Sequence, residues 1–80
     1  MRLKCRYLMS GPGPSEATVS ITTTDGKEQL VVDAGSVHDD LLEVLRVLDR
    51  KADRALVELP RESASGRRRV WVPRSSLASA

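Results

Sequence analysis

The dipeptide Asp25-Gly26 restricts the fold of this chain more than any other feature, because it lies between two runs of alternating residues. Residues 18–24 and 27–32 alternate between apolar and polar side chains, which is typical of half-buried strands. Asp-Gly accepts the positive φ of a two-residue hairpin turn. The sequence therefore predicts a β-hairpin with one apolar face. The predicted pairs are Ile21 with Leu30, Val19 with Val32 and Ala17 with Ala34, with Thr22/Gln29 and Thr18/Asp33 on the other face.

Three further segments are predicted to be strands. Residues 2–9 alternate, which places Leu3, Cys5, Tyr7 and Met9 on one side and Arg2, Lys4 and Arg6 on the other. Residues 54–59 and 69–72 also have strand composition, and a proline ends each of them. These two segments predict a second hairpin with a long, mobile loop over residues 61–68. The two glycines and two prolines near residues 10–16 predict a flexible loop.

The segment that follows Gly35 has the pattern of an amphipathic helix. Ser36 is a capping residue three positions before Asp39, and acids in a first helical turn are stabilised by the helix dipole. A helix over about residues 37–52 would gather Val37, Leu41, Val44, Leu45, Leu48 and Ala52 on one stripe. Leu42 and Val47 lie outside this stripe, where they could meet a partner or remain as surface side chains.

Size and composition predict one small domain, residues 1–80, with a frayed tail at 78–80. The chain has no Phe, one Tyr and one Trp, so its core must be aliphatic. We expect an α+β fold in the order β-β-β-α-β-β. One helix would pack on one face of a sheet of about five mostly antiparallel strands.

Charge and cysteine content restrict the partners and the compartment. The net charge of +2 gives no general argument for polyanion binding, but residues 1–9 carry three basic groups and no acid. We expect no membrane association, because no apolar run is long enough to cross a bilayer and no signal peptide is recognisable. Cys5 is the sole cysteine, so we expect a cytoplasmic protein without disulfides.

The sequence offers no convergent set of catalytic or metal-binding residues. His38 is the sole histidine, and on a helix it would point in a different direction from Asp39 and Asp40. No Gly-x-Ser-x-Gly motif is present. We therefore expect a non-enzymatic protein with no small-molecule cofactor and no metal site.

Arg67, Arg68 and Arg69 lie next to Trp71, and together they form the candidate binding site. Guanidinium groups bind phosphate or carboxylate, and an indole ring can stack on a base. Strand alternation would point Arg2, Lys4 and Arg6 to the same side of the predicted sheet. This basic face predicts a weak anion or single-stranded nucleic-acid binder, while the alternative is that the arginines only solvate the hairpin.

Residues 66–77, which include Arg69-Val70-Trp71-Val72-Pro73 and a short turn, resemble the last hairpin of SH3-like barrels. The resemblance implies an all-β alternative in which residues 41–48 form a strand. It also implies that Trp71 and Pro73 match two residues of the family's groove for proline-rich peptides. Ser76 replaces the family's tyrosine.

The ligand itself cannot be derived from the sequence. Our leading hypothesis is a small interaction or structural module that binds another protein or a second copy of itself. The alternative is nucleic-acid or anion binding through the arginine cluster and Trp71.

Overall fold

The computed structural model describes residues 1–78, and it contains β-strands and two 3-10 turns but no α-helix in that range. The strands are β1 (Arg2–Ser10), β2 (Glu16–Thr23), β3 (Gly26–Asp33), β4 (Val37–His38), β5 (Leu41–Glu43), β6 (Arg46–Arg50), β7 (Arg54–Glu58), β8 (Arg69–Pro73) and β9 (Leu77–Ala78). The 3-10 turns are Ala34–Ser36 and Arg74–Ser76. The fold is all-β, so the predicted α+β class is wrong.

The strands form two antiparallel sheets instead of one sheet of five strands. In the larger sheet the order is β3-β2-β1-β5-β4, and β9 also pairs with β1. The smaller sheet has the order β6-β7-β8. The amide of Thr24 donates to the carbonyl of Trp71 at 2.9 Å and so joins the two sheets, which do not close into a barrel within residues 1–78.

The predicted helix over residues 37–52 is wrong, because this segment forms β4, β5 and β6. Asp39 and Asp40 have φ values of 54° and 59° and make a two-residue turn, across which His38 pairs with Leu41. Positive φ at both positions is the geometry of a hairpin turn, and it ends any right-handed helix there. Asp39 and Asp40, which the sequence pattern places in the first turn of a helix, instead form the turn of a hairpin.

The first hairpin is confirmed, but its predicted register is wrong by two residues. Val19 pairs with Leu30 and Ala17 with Val32, so the turn consists of Thr24 and Asp25. The positive φ belongs to Gly26, at 144°, and the Thr23 hydroxyl donates to the Asp25 carboxylate at 2.8 Å. Because side chains alternate with a period of two, a shift by two leaves the same residues facing the core.

The core is aliphatic, as predicted, and both sheets contribute to it. Its cluster of buried residues consists of Leu3, Val19, Ile21, Leu30, Val32, Leu42, Val44, Val57, Leu59, Val70 and Val72. The predicted second hairpin is confirmed as β7 and β8, with Val57 opposite Val70. Leu42, which lay outside the predicted helical stripe, is fully buried.

The loops make specific hydrogen bonds. Gly11 donates to the carbonyl of Glu16 at 2.8 Å, which closes the loop predicted at residues 10–16. Within the loop at 61–68, Ala64 donates to the carbonyl of Gln29 at 2.7 Å, and Ser63 is buried. The mobility expected of both loops stays a prediction. Of the tail predicted to fray, Ala78 belongs to β9, and residues 79 and 80 lie outside the described range.

Candidate functional site

The arginine cluster at residues 67–69 is largely occupied by neighbouring carboxylates. Arg67 lies 3.3 Å from the Asp25 carboxylate, and Arg69 lies 3.5 Å from that of Glu58. Among residues 1–78, Arg68 has no carboxylate within ion-pair distance. The three guanidinium groups therefore do not form one free anion site.

Trp71 is half-buried on the outer face of the smaller sheet, opposite Leu56. The Arg54 guanidinium lies 5.1 Å from the centre of its ring, and the Lys51 ammonium lies 5.9 Å from it. Both are cation–π distances. Cations of the chain itself thus take the stacking position that a nucleic-acid base would need.

The basic residues of β1 lie in the larger sheet, away from the ladder that holds Trp71. Arg2 pairs with Glu43 at 3.4 Å. Lys4 and Arg6 instead line a cavity of about 270 Å³ together with Lys27. The predicted common face is therefore split between two sheets, with Arg2, Lys4 and Arg6 in the larger and Arg69 and Trp71 in the smaller. Lys27 was not singled out from the sequence, because it lies in residues 10–50, where acidic residues outnumber basic ones. In the first hairpin Lys27 pairs with Thr22.

Hydroxyl groups complete the lining of this cavity. Ser20 faces it from β2 as the cross-strand neighbour of Arg6, and Thr22 is the neighbour of Lys27. Ser76 reaches it from the second 3-10 turn. Cys5 also contributes to the wall, and burial together with the Asp40 charge raises the pKa of its thiol to about 11. The thiol is neutral at pH 7, so it adds no negative charge to the cavity.

A second notable feature is the edge of β1 that faces away from β2. Strand β5 pairs with this edge only over Arg2–Lys4, and the Cys5 amide makes the last contact, a 2.9 Å hydrogen bond to the Asp40 carbonyl. In the part of the chain that the structure describes, no strand pairs with this edge over residues 6–10. Tyr7, Leu8 and Met9 are exposed here, Met9 to 61%. This stretch is named the free edge of β1.

The corresponding edge of β3 is covered. The loop at residues 61–68 lies along it, and Arg61 bridges Glu16 and Asp33 at 2.7 and 3.0 Å. Strand β6 is also an edge strand, but it carries Arg46, Asp49 and Arg50, and charged edges resist strand pairing. The free edge of β1 is thus more apolar than the edge of β6.

Within residues 1–78, no group of three or more His, Cys, Asp or Glu side chains is placed to hold a metal ion. The same residues include no helix able to cross a membrane.

Comparison with known protein families, curated proteins and solved structures finds no match for this chain. The resemblance of residues 66–77 to SH3-like barrels therefore stays a prediction, although β8 does end at Pro73 before a 3-10 turn.

Proposed function

We propose that this protein is a non-enzymatic interaction module that binds an extended segment of a partner protein along the free edge of β1. The observation that carries the proposal is that residues 6–10 pair with β2 on one side only, while their apolar side chains remain exposed. Unpaired edge amides and carbonyls are a template for an added strand. Backbone hydrogen bonds would supply affinity, and the side chains of β1 would supply selectivity.

The amide of Tyr7 is the donor best placed for such a strand. Alternate residues of an antiparallel strand direct their amides to the same edge. The Cys5 amide reaches Asp40 on the β5 side, so the Tyr7 amide points to that side too, beyond the end of β5. Tyr7 and Leu8 offer apolar surface next to this donor.

The charge of β1 favours an acidic partner segment. Lys4 and Arg6 lie on this strand without an ion-pair partner among residues 1–78, whereas Arg2 is paired with Glu43. Residues 1–9 contain no acid. A second copy of β1 would bring these cations close to their own counterparts, and like charges across strands are destabilising. An extended segment with glutamate or aspartate at alternate positions has the complementary pattern.

The bulge at Leu8 also argues against self-pairing. Tyr7 shares a face with Val19, whereas Met9 is paired with Thr18, so the bulge reverses the alternation of side chains. If two copies paired antiparallel around Leu8, Tyr7 of one copy would lie opposite Met9 of the other. The two side chains would then point to opposite faces of the sheet. Bulges of this kind limit edge-to-edge pairing between identical chains.

Two expectations from the sequence enter this proposal. The protein acts without a cofactor, and it works in the cytoplasm, a compartment that suits its free Cys5 thiol. Single-stranded nucleic-acid binding is less well supported, because Arg54 and Lys51 lie over the Trp71 ring.

Two variants at Tyr7 test the proposal. Tyr7→Ala removes the ring and keeps the backbone N–H donor, whereas Tyr7→Pro removes both. Proline is tolerated where the N–H of a strand faces solvent. The probe is a fluorescent peptide of about eight alternating valine and glutamate residues, a length typical of a strand. We expect Tyr7→Pro to bind about tenfold more weakly than Tyr7→Ala in fluorescence anisotropy, because one hydrogen bond is lost.

Circular dichroism of both variants controls for folding. A peptide of alternating valine and lysine should bind more weakly than the acidic one. Equal binding by Tyr7→Pro and Tyr7→Ala would contradict the added-strand geometry. A dimer of the wild-type chain in sedimentation equilibrium, lost in Tyr7→Pro, would instead place a second copy at this edge and refute the acidic partner.

A further inference from the structure

The cavity beside β1 concentrates positive charge that the fold itself does not neutralise. Lys4, Arg6 and Lys27 line it, and within residues 1–78 none of them has a carboxylate at ion-pair distance. Several arginines elsewhere are paired with carboxylates, such as Arg46 with Glu58 at 2.9 Å and Arg61 with Glu16 at 2.7 Å. Three like charges around one concave surface repel each other, and an anion placed between them removes that repulsion.

The sheet architecture arranges these cations together with neutral donors. Lys4 and Arg6 are two residues apart on β1 and therefore point to the same face. Ser20 is paired with Arg6, and Thr22 is paired with Lys27, so both hydroxyls share that face. Ser76 adds a third hydroxyl from the 3-10 turn before β9. Four elements of the fold thus contribute charge or hydrogen bonds to one cavity.

We propose that this cavity binds the phosphoryl group of a small phosphate monoester. Lysine ammonium and arginine guanidinium groups are the usual partners of phosphate oxygens, and hydroxyls can donate to the remaining lone pairs. A dianion compensates the triple positive charge better than a carboxylate does. The volume of about 270 Å³ lies near the lower limit of small-molecule pockets, about 300–1,000 Å³, which restricts the ligand to a small molecule.

This site is distinct from the free edge of β1. A strand added there would lie in the plane of the sheet and hydrogen-bond the backbone of β1, whereas the cavity lies on the sheet face and binds through side chains. Lys4 and Arg6 contribute charge to both sites, but Lys27 lines only the cavity. The phosphate site therefore does not depend on the proposed function. Tyr7→Pro should weaken strand addition and leave phosphate binding intact.

The test compares Lys27→Gln with Arg68→Gln by isothermal titration calorimetry, using phenyl phosphate and inorganic phosphate as probes. Both variants remove one charge from an exposed side chain that pairs with no carboxylate among residues 1–78, but only Lys27 lines the cavity. We expect Lys27→Gln to weaken phenyl phosphate binding at least tenfold and Arg68→Gln to change it less than twofold. Lys4→Gln replaces Lys27→Gln if the latter fails to fold.

Binding should also strengthen between pH 5 and pH 7.5, because the second pKa of a phosphate monoester is about 6. Equal weakening by Lys27→Gln and Arg68→Gln would overturn the proposal in favour of general charge attraction. Acetate binding as tight as phenyl phosphate would overturn the choice of ligand. Binding of a single-stranded oligonucleotide would also overturn the choice of ligand, if its affinity rises with length and phenyl phosphate does not displace it. That result would identify a surface for polyanions.

Discussion

At the scale of single residues, Asp39 and Asp40 decide the path of the central part of the chain. Both have positive φ, a region that costs an ordinary L-residue about 1–2 kcal/mol. Aspartate is among the residues that enter it most readily, because its short side chain can bond the local backbone. The same residue type also favours the first turn of a helix, so the sequence is compatible with either structure here.

Replacing Asp40 by glycine separates these two structures. We expect Asp40→Gly to raise the free energy of unfolding by about 0.5–1 kcal/mol, because glycine adopts the observed φ of 59° without strain. Urea unfolding at pH 7 measures the change. Asp40→Ala is the control, since it removes the carboxylate but keeps the strained Cβ. A lower stability of Asp40→Gly than of Asp40→Ala would contradict the turn and favour a helix.

At the scale of elements, the segment from β4 to β6 shows how two periodicities can share one sequence. Leucines and valines recur both at helical spacing and at alternate positions between Leu41 and Leu48. Pairing of Leu42 with Leu3 on β1 adds backbone hydrogen bonds and buries both side chains. Tertiary pairing of this kind overrides the helical preference of leucine and arginine.

Alanine substitutions at Leu42 and Leu45 test this assignment, because the predicted helix would bury Leu45 and leave Leu42 off its stripe. In the structure Leu42 is fully buried and Leu45 is 54% exposed. We expect Leu42→Ala to lower the free energy of unfolding by about 2–5 kcal/mol and Leu45→Ala by less than about 0.5 kcal/mol. Thermal or urea unfolding gives both values, and the reverse order would contradict the strand assignment.

At the scale of the whole molecule, the loop between β7 and β8 of the smaller sheet makes polar contacts with β2 and β3 of the larger sheet. The Ser65 hydroxyl donates to Glu28 at 2.6 Å, and Arg61 donates to Glu16 at 2.7 Å. The Arg61 hydrogen bond lowers the pKa of Glu16, and the Ser65 hydrogen bond lowers that of Glu28. Hydrogen bonds from Thr23 and then Arg67 lower the pKa of Asp25 in the same way.

These pKa shifts predict loss of stability in acid. A carboxyl whose pKa is lower in the folded than in the unfolded state stabilises the fold above its unfolded value, 4.5 for glutamate. That stabilisation is lost as the pH falls through the folded value. We expect the thermal midpoint to fall between pH 5 and pH 3, and to fall less in Glu28→Gln. An equal decrease in both proteins would refute the contribution of Glu28.

The sequence alone determined the aliphatic core, the two hairpins and the faces of β7 and β8, because alternation and turn residues act over a few positions. It also placed Lys4 and Arg6 on the polar side of β1. The structure alone decided that residues 37–52 form three strands and their turns, that Lys27 joins Lys4 and Arg6, and that Trp71 lies beneath Arg54. Each of these depends on which strands pair, and pairing is set by contacts between residues far apart in the chain, which local patterns do not encode.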